Sequence, residues 1–232
     1  MKTNDYIHAL SSAFPKIEFA SNHERIYDDF VRSLMHEEEL TVSHPQEYSG
    51  QKVMKLVCSQ HSMTMEYTSS PDPQEFERRQ RKYTAEWVQF LNHEKMPVKE
   101  IDVCSSVNQK IFDALCAQDN LESLRIKRLT CKQIDEIVKL KNLKKLFLQN
   151  ASTVMDISPL AHLENLEVLI LGETKKVDDY SALASLKRLK VLGICGYQAS
   201  VNSVIKVKDL DFISELPALE YVDFIDVRLL PN

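Results

Sequence analysis

The apolar positions of this chain change their spacing at regular intervals along its second half. In the stretch DISPLAHLENLEVLILGE, Leu or Ile stands at positions 157, 160, 163, 166, 169 and 171. The first four positions are three residues apart, and the last two are two apart. A spacing of three to four is typical of a helix and a spacing of two is typical of a strand. The stretch therefore predicts a short helical segment followed at once by a short strand.

The same change of spacing recurs about every 22 residues. LKNLKKLFL, LKRLKVLGI and LPALEYVDF repeat LENLEVLIL, and DNLESLRI and MPVKEIDV are weaker copies upstream. One such unit cannot bury its apolar face alone, so stacked units share a core and pair their strands into one parallel sheet. A plain amphipathic helical domain does not account for a spacing of two at nearly fixed intervals. The six copies begin at Val98, Leu121, Leu143, Leu166, Leu189 and Leu219.

The second half of the chain resembles the bacterial leucine-rich repeat family, specifically its internalin-like type with repeats of 22–23 residues. DISPLAHLENLEVLIL and DYSALASLKRLKVLGI carry this resemblance, which covers about 98–230. It implies an α/β solenoid with a parallel sheet of about six strands and a habit of binding proteins, with no shared chemistry. The chain lacks the asparagine that the family places after each strand, so we expect an irregular array. The residues at those positions are Ser106, Leu129, Ala151, Thr174, Tyr197 and Val227.

Side chains at the third, fifth and seventh positions of each copy are predicted to point to the concave face, because strand side chains alternate. The middle copies are apolar at these positions and their neighbours are charged, as in many protein-binding surfaces. Glycines at 172 and 193 are expected to open room there. Two alternatives stay open: the N-terminal domain folds over this face, or β-propensity alone selects Val and Ile. The candidate partner-binding residues are Arg125, Lys145, Phe147, Val168, Ile170, Val191, Tyr221 and Asp223.

The first part of the chain, residues 1–95, shows no repeat and predicts a small α+β domain that caps a leucine-rich repeat domain at 96–232. The chain stops at LLPN soon after the sixth predicted strand. Because solenoids need caps, this C-terminal end is expected to lie open and to be covered by a second copy or a partner. The predicted N-terminal elements are helices over 7–14 and 26–34, two paired strands over 52–58 and 61–68, and a charged helix over 73–94.

Composition narrows the possible environments and partners. A net charge of −5 argues against a general trap for nucleic acid, and the basic residues between Arg125 and Lys145 lack interleaved aromatics. Five cysteines without a tight pair indicate reduced thiols and a cytoplasmic protein. The N-terminus is too polar for a signal peptide, and no apolar run is long enough to cross a membrane.

The sequence offers no catalytic constellation and predicts neither metal nor cofactor. Its four glycines permit no P-loop or GxGxxG, and neither a GxSxG elbow nor an HExxH motif occurs. Cys58 and His61 are three residues apart around a predicted turn and lack a third group to orient them. We therefore expect a protein that is not an enzyme.

The interpretation that follows is a non-enzymatic protein–protein interaction module that binds a partner protein on its concave face. An inhibitor of one cognate protein, such as an immunity protein for a toxin, is one such role. Two alternatives belong to other classes. One is a bacterial effector whose N-terminal domain is catalytic and whose repeats select the substrate. The other is a self-assembling structural protein, a homo-oligomer joined through the open C-terminal end.

Overall fold

A computed structural model of the chain describes seven stretches of it. The predicted helix over 26–34 and the predicted strand over 61–68 lie outside these stretches. Of the predicted helix over 7–14, residues 11–13 are described and are helical. The described stretches are 11–19, 41–42, 44–50, 52–56, 73–93, 95–196 and 204–230.

All six predicted repeat strands are present, and each begins at the third position of its copy. They lie side by side in a wholly parallel sheet of nine strands within the described residues. The nine strands are β1 (Glu18–Phe19), β2 (Thr41–Val42), β3 (Val53–Leu56), β4 (Glu100–Val107), β5 (Ser123–Leu129), β6 (Lys145–Leu148), β7 (Val168–Gly172), β8 (Val191–Cys195) and β10 (Tyr221–Ile225). Their order across the sheet is β1-β10-β8-β7-β6-β5-β4-β3-β2. Two further strands, β9 (Ile205–Val207) and β11 (Val227–Leu229), pair in parallel with each other.

The helical segments with apolar residues three apart are short 3₁₀ helices. In a 3₁₀ helix the side chains of residues i and i+3 lie one above the other, so this spacing directs all of them into the core. The first repeat uses an α-helix instead, α2 (Gln109–Cys116), and α1 (Pro73–His93) packs beside it. The 3₁₀ helices of the repeats are Asp135–Lys139, Ser158–His162, Ser181–Ser185 and Asp211–Glu215.

The main core fills the space between the sheet and this helical layer. Leu169 and Leu171 of β7 enter it from the sheet, and Leu160 enters it from a 3₁₀ helix. All three side chains are 0% exposed, and burying a leucine stabilises the fold by about 1.5–3 kcal/mol. Trp87 and Leu91 of α1 belong to the same cluster, so the core is continuous from α1 through the repeats.

Asparagines join neighbouring repeats, at a position other than the one the family uses. Each stands immediately before the first apolar position of its copy, and its side-chain Nδ2 donates to a backbone carbonyl oxygen of the preceding repeat. The missing family asparagine therefore does not leave these repeats without bonds between them. The bonds run from Asn120 to Met96 (3.2 Å), from Asn142 to Asp119 (2.9 Å) and from Asn165 to Lys141 (2.8 Å).

A column of alternating charge runs across the sheet at the second position of each copy. Glu122 lies 3.0 Å from Lys99 Nζ and 2.7 Å from Lys144 Nζ, and the Lys190–Glu167 distance is 2.9 Å. The hydrogen bond from Lys144 lowers the pKa of Glu122, and the hydrogen bond from Lys190 lowers the pKa of Glu167. Strand pairing therefore places opposite charges beside each other all along this edge.

The described part of the first 95 residues lies at both edges of the repeat sheet. β3 pairs in parallel with β2 and with β4, so the sheet is continuous across the predicted boundary at residue 95. β1 pairs with β10 at the opposite edge, where Phe19 lies beside Val222. Phe14, Ile17 and Phe19 pack against the main core.

Two expectations about these edges are wrong. The C-terminal end of the array is not open, because residues from the start of the chain cover it. Val222 is 1% exposed and Phe224 is 3% exposed. The described neighbours of β3 are both parallel and belong to other segments, so β3 is an inner strand of the large sheet and not half of an isolated hairpin.

The contact of β1 with the C-terminal edge gives a first prediction. Ile17→Asn should raise amide hydrogen exchange over 221–225 and lower the free energy of unfolding by about 1–3 kcal/mol, because it places a polar group against the core. Lys16→Asn is the matched control, since Lys16 is exposed. Equal exchange over 221–225 in the two variants, measured by mass spectrometry, would contradict the role of β1.

The alternating charge column gives a second prediction, on pH. Because the folded-state pKa values of Glu122 and Glu167 are lowered, the stabilisation is complete above about pH 4.5 and is lost as the pH falls below it. The melting temperature of Glu122→Gln/Glu167→Gln should therefore fall less between pH 7 and pH 3.5 than that of the wild type. Because exposed ion pairs contribute little to stability, the falls in melting temperature of the two proteins should differ by a few degrees at most, and the difference should shrink in high salt.

The control for this measurement is Glu164→Gln/Asp135→Asn, which changes the net charge equally at two exposed positions outside the column. It should keep the wild-type fall in melting temperature. If it loses as much of the pH dependence as the column variant, the effect belongs to the net charge and not to the column.

Candidate functional site

The concave face carries the side chains that the alternation predicts. Sheet register places Val168 beside Lys145 and Val191, and it places Ile170 beside Phe147. Phe147, Val168 and Ile170 form a cluster separate from the main core, with Val191 packed against it. We call these four residues the concave cluster. The sheet is therefore apolar on both faces at its centre.

The apolar centre of the concave face is buried. Phe147 is 1% exposed, Ile170 is 4% exposed and Val168 is 7% exposed. Asp223, another candidate, is 7% exposed. A phenylalanine reaches such burial only when atoms cover its outer side as well as its flanks, so these residues present no free surface.

The remaining candidates lie at the margin of the buried centre and are half-buried. They reach solvent from four different strands, β5 and β6 on one side and β8 and β10 on the other. That they contact a partner stays a prediction. They are Arg125, Lys145, Val191 and Tyr221.

The two glycines beside the cluster allow close packing and leave no open room. A Cβ atom on Gly193 would lie 2.7 Å from Cδ1 of Ile170, so the isoleucine already fills that space. A Cβ atom on Gly172 would lie 3.3 Å from the backbone Cα of Gln149. The expectation that these glycines open room on the concave face is therefore wrong.

A group of charged side chains borders the concave cluster on β4 and β5. Asp102 Oδ2 lies 3.4 Å from Arg125 Nη1 and 3.6 Å from Lys127 Nζ. Lys127 Nζ also lies 3.3 Å from Cys104 Sγ. The sequence places all four residues on the concave face, but their mutual pairing depends on the register of β4 against β5.

Several buried polar atoms on this face have no hydrogen-bond partner. In the described part of the chain four such side-chain atoms occur, and three belong to concave residues: Asp102 Oδ1, Arg125 Nε and Tyr221 Oη. Burial also raises the pKa of Tyr221 to about 12. An unsatisfied buried polar group costs about 1–3 kcal/mol, so this face is less stable than it would be with all three atoms paired.

Among the described residues, metal ligands do not gather into a site, and three cysteine thiols are buried. No group of three or more His, Cys, Asp and Glu side chains among them could hold a metal ion. Burial raises the pKa of Cys131 to about 12 and raises the pKa values of Cys116 and Cys195, so these thiols stay protonated at neutral pH. No helix in the described stretches is both long and apolar enough to cross a bilayer. Cys58 and His61 lie outside the described residues.

Comparison with known families agrees with this geometry. Residues 89–174 match the family model described as R13L1/DRL21 LRRs, a leucine-rich repeat model. The second half of the chain is a leucine-rich repeat array, and the predicted α/β solenoid with a parallel sheet is confirmed. Domains of this class generally bind proteins. A search of curated proteins finds no significant match.

Solved structures with similarity to this chain include two internalins of Listeria monocytogenes. An internalin (inlF) shares 18% identity over 62% of this chain and 52% of its own, with a TM-score of 0.42. Internalin C2 shares 21% identity over 63% and 68%, with a TM-score of 0.38. A leucine-rich repeat protein of Leptospira interrogans shares 13% identity over 64% and 59%, with a TM-score of 0.24. The match to the first internalin spans about half of that protein's length.

The burial of the concave cluster gives a third prediction. Phe147→Ala should lower the free energy of unfolding by about 3–5 kcal/mol, because it removes a fully buried aromatic side chain and leaves a cavity. Phe147→Leu should cost clearly less, because it keeps much of the apolar volume. Urea denaturation monitored by circular dichroism measures both. A cost within about 0.5 kcal/mol for Phe147→Ala, as for a surface residue, would contradict the burial.

Proposed function

We propose that this chain is a non-enzymatic protein–protein interaction module whose partner contacts the margin of the concave face. The observation that carries the proposal is the leucine-rich repeat array itself, with half-buried charged and aromatic side chains at the margin of its concave face. The leucine-rich repeat fold supports the general class, because solenoids present extended concave surfaces for binding.

The contact surface that we propose consists of the half-buried candidates together with Lys127. Lys145 makes no ion pair with a described residue, and the side chain of Lys127 is 34% exposed. On this side the surface is basic, so it fits a partner with an acidic patch. Such charge complementarity raises the association rate and fixes the orientation of the complex. Phe147, Val168 and Ile170 then serve the fold and not the partner directly.

A narrower role follows as part of the same proposal. We propose that the protein is bacterial and cytoplasmic and that it inhibits one cognate protein, as an immunity protein inhibits a toxin. This role predicts a single dominant partner with a slow dissociation rate. It rests on the class of fold, by analogy.

The experiment compares charge reversals on and off the concave face. Purified chain serves as bait in a lysate of its source organism, and captured proteins are identified by mass spectrometry. Lys127→Glu/Lys145→Glu should reduce capture of the dominant partner at least about tenfold, since rim charges act chiefly on association. Lys132→Glu/Lys141→Glu makes the same charge change at exposed positions outside the three concave columns and should capture the partner normally.

The comparison of the two double variants decides between the outcomes. Selective loss with the concave pair supports the proposal, provided that both variants keep the wild-type melting temperature. Equal capture by both pairs would place the contact elsewhere. Failure of the wild type to capture any protein reproducibly would contradict the interaction module itself.

A further inference from the structure

We propose that a groove between α1 and the ends of β4 and β5 binds a short acidic segment of a partner protein. Residues of α1 from Arg81 to His93 line one side of the groove, and residues 106–110 and Thr130 line the other. We call it the α1 groove. Its volume is about 890 Å³, and ligand pockets usually have about 300–1,000 Å³, mostly apolar walls and a few polar groups that orient the ligand. The α1 groove therefore has the size of a binding site for a few residues of a peptide.

The apolar part of the α1 groove comes from the helix. Thr84, Ala85 and Val88 line it, and residues three and four apart lie on the same face of an α-helix. These side chains therefore form one continuous strip, beside the buried Trp87 and Leu91. Ala85 is exposed and the other two are half-buried, so solvent reaches the strip. An apolar side chain of a ligand would leave water there, which favours binding.

The wall opposite α1 lies where the strands of the first two repeats end, and hydrogen bonds hold it in place. Asn108, just before α2, accepts a hydrogen bond at Oδ1 from the backbone N–H of Ile111 (3.1 Å). Thr130, just after β5, donates from Oγ1 to the backbone carbonyl oxygen of Val107 (3.0 Å). Because the fold already holds these side chains, a ligand that binds here has little ordering of this wall to offset.

The titratable side chains of the α1 groove are all basic. They are Arg81, His93 and Lys110, and none of the described residues that line the groove is acidic, although the whole chain carries a net charge of −5. Lys110 is exposed and makes no ion pair with a described residue. Arg81 Nη2 lies 2.9 Å from Glu77 Oε2, but both side chains are largely exposed and such pairs are weak, so Arg81 can exchange this carboxylate for one of a ligand. Charge complementarity therefore favours an acidic ligand.

The spacing of these groups along α1 defines the ligand more closely. Arg81 and His93 are 12 positions apart, which is about 18 Å at 1.5 Å per residue, and the apolar strip lies between them. An extended peptide of about six residues spans that distance at ~3.3 Å per residue. The ligand is therefore a segment of about this length with an apolar side chain near its middle and carboxylates beside it. The inference does not rest on the proposed function, because no residue of the α1 groove belongs to the three concave columns.

Peptide display on the full-length protein tests the inference without a known partner. The probe is a phage library of random dodecapeptides that is selected on the immobilised wild type, and enriched peptides are synthesised with a fluorescein label. Fluorescence polarisation then gives their dissociation constants for the wild type and its variants. Arg81→Glu/Lys110→Glu reverses the charge of the α1 groove, and Ala85→Trp fills its apolar strip without a change of charge. Lys176→Glu/Lys206→Glu is the matched control, at two exposed lysines outside the groove.

The expected result is enrichment of acidic peptides whose dissociation constants rise at least about tenfold in both groove variants and change by less than about twofold in the control. Melting curves identify any variant that has lost its fold, and the other groove variant then decides. Enrichment of neutral or basic peptides, no enrichment, or unchanged binding by the groove variants would overturn the inference. Peptides that lose binding to Lys127→Glu/Lys145→Glu instead would occupy the concave margin, which would overturn this inference and leave the proposed function standing. Failure of the partner-capture experiment would leave this inference intact, so either proposal can fail alone.

Discussion

Every feature of this molecule depends on the register of its parallel strands. Backbone N–H groups of Glu167 and Val168 both donate to the carbonyl oxygen of Lys144, at 2.8 and 3.0 Å, and the equivalent bonds recur between other neighbouring repeats. Each residue therefore lies beside the residue at the same position of the next copy, about 4.8 Å away. A residue type that recurs at one position of the repeat therefore forms a column across the whole sheet. Core leucines, bridging asparagines and paired charges are each such a column.

This register limits which residue types can stand at the same position of neighbouring copies. A lysine at the second position of every copy would place like charges side by side, which destabilises neighbouring strands. The chain alternates Lys144, Glu167 and Lys190 instead, so each charge lies beside its opposite. At the fifth position the constraint acts through volume. Ile170 fits because its neighbour Gly193 carries no side chain, and the 2.7 Å distance to a hypothetical Cβ shows that a larger residue would force a shift.

The repeat half was predictable from the sequence because its information is local and periodic. The spacing of two identified all six strands and their concave columns, and the spacing of three identified the helical segments. The N-terminal strands had no such signal. The two-residue strand Glu18–Phe19 is defined by its pairing with β10, some 200 residues later in the chain. No periodic pattern in the sequence predicts that pairing. The alternation of the strands also assigned Phe147 and Ile170 to the concave face correctly. Such a pattern predicts the direction of a side chain, but it does not predict whether that side chain is covered.

The covered centre limits how this face can bind a partner. A stable protein–protein interface buries roughly 800 Å² on each side and usually has an apolar anchor at its centre. Here the apolar centre is already buried, so a partner that contacts the margin must gain its area from the rim and from the loops at the strand ends. Lys127 and Lys145 then contribute mainly through steering and orientation, because half-exposed charges add little net affinity. Recognition on this array would thus rest on a pattern of charge around a buried apolar centre.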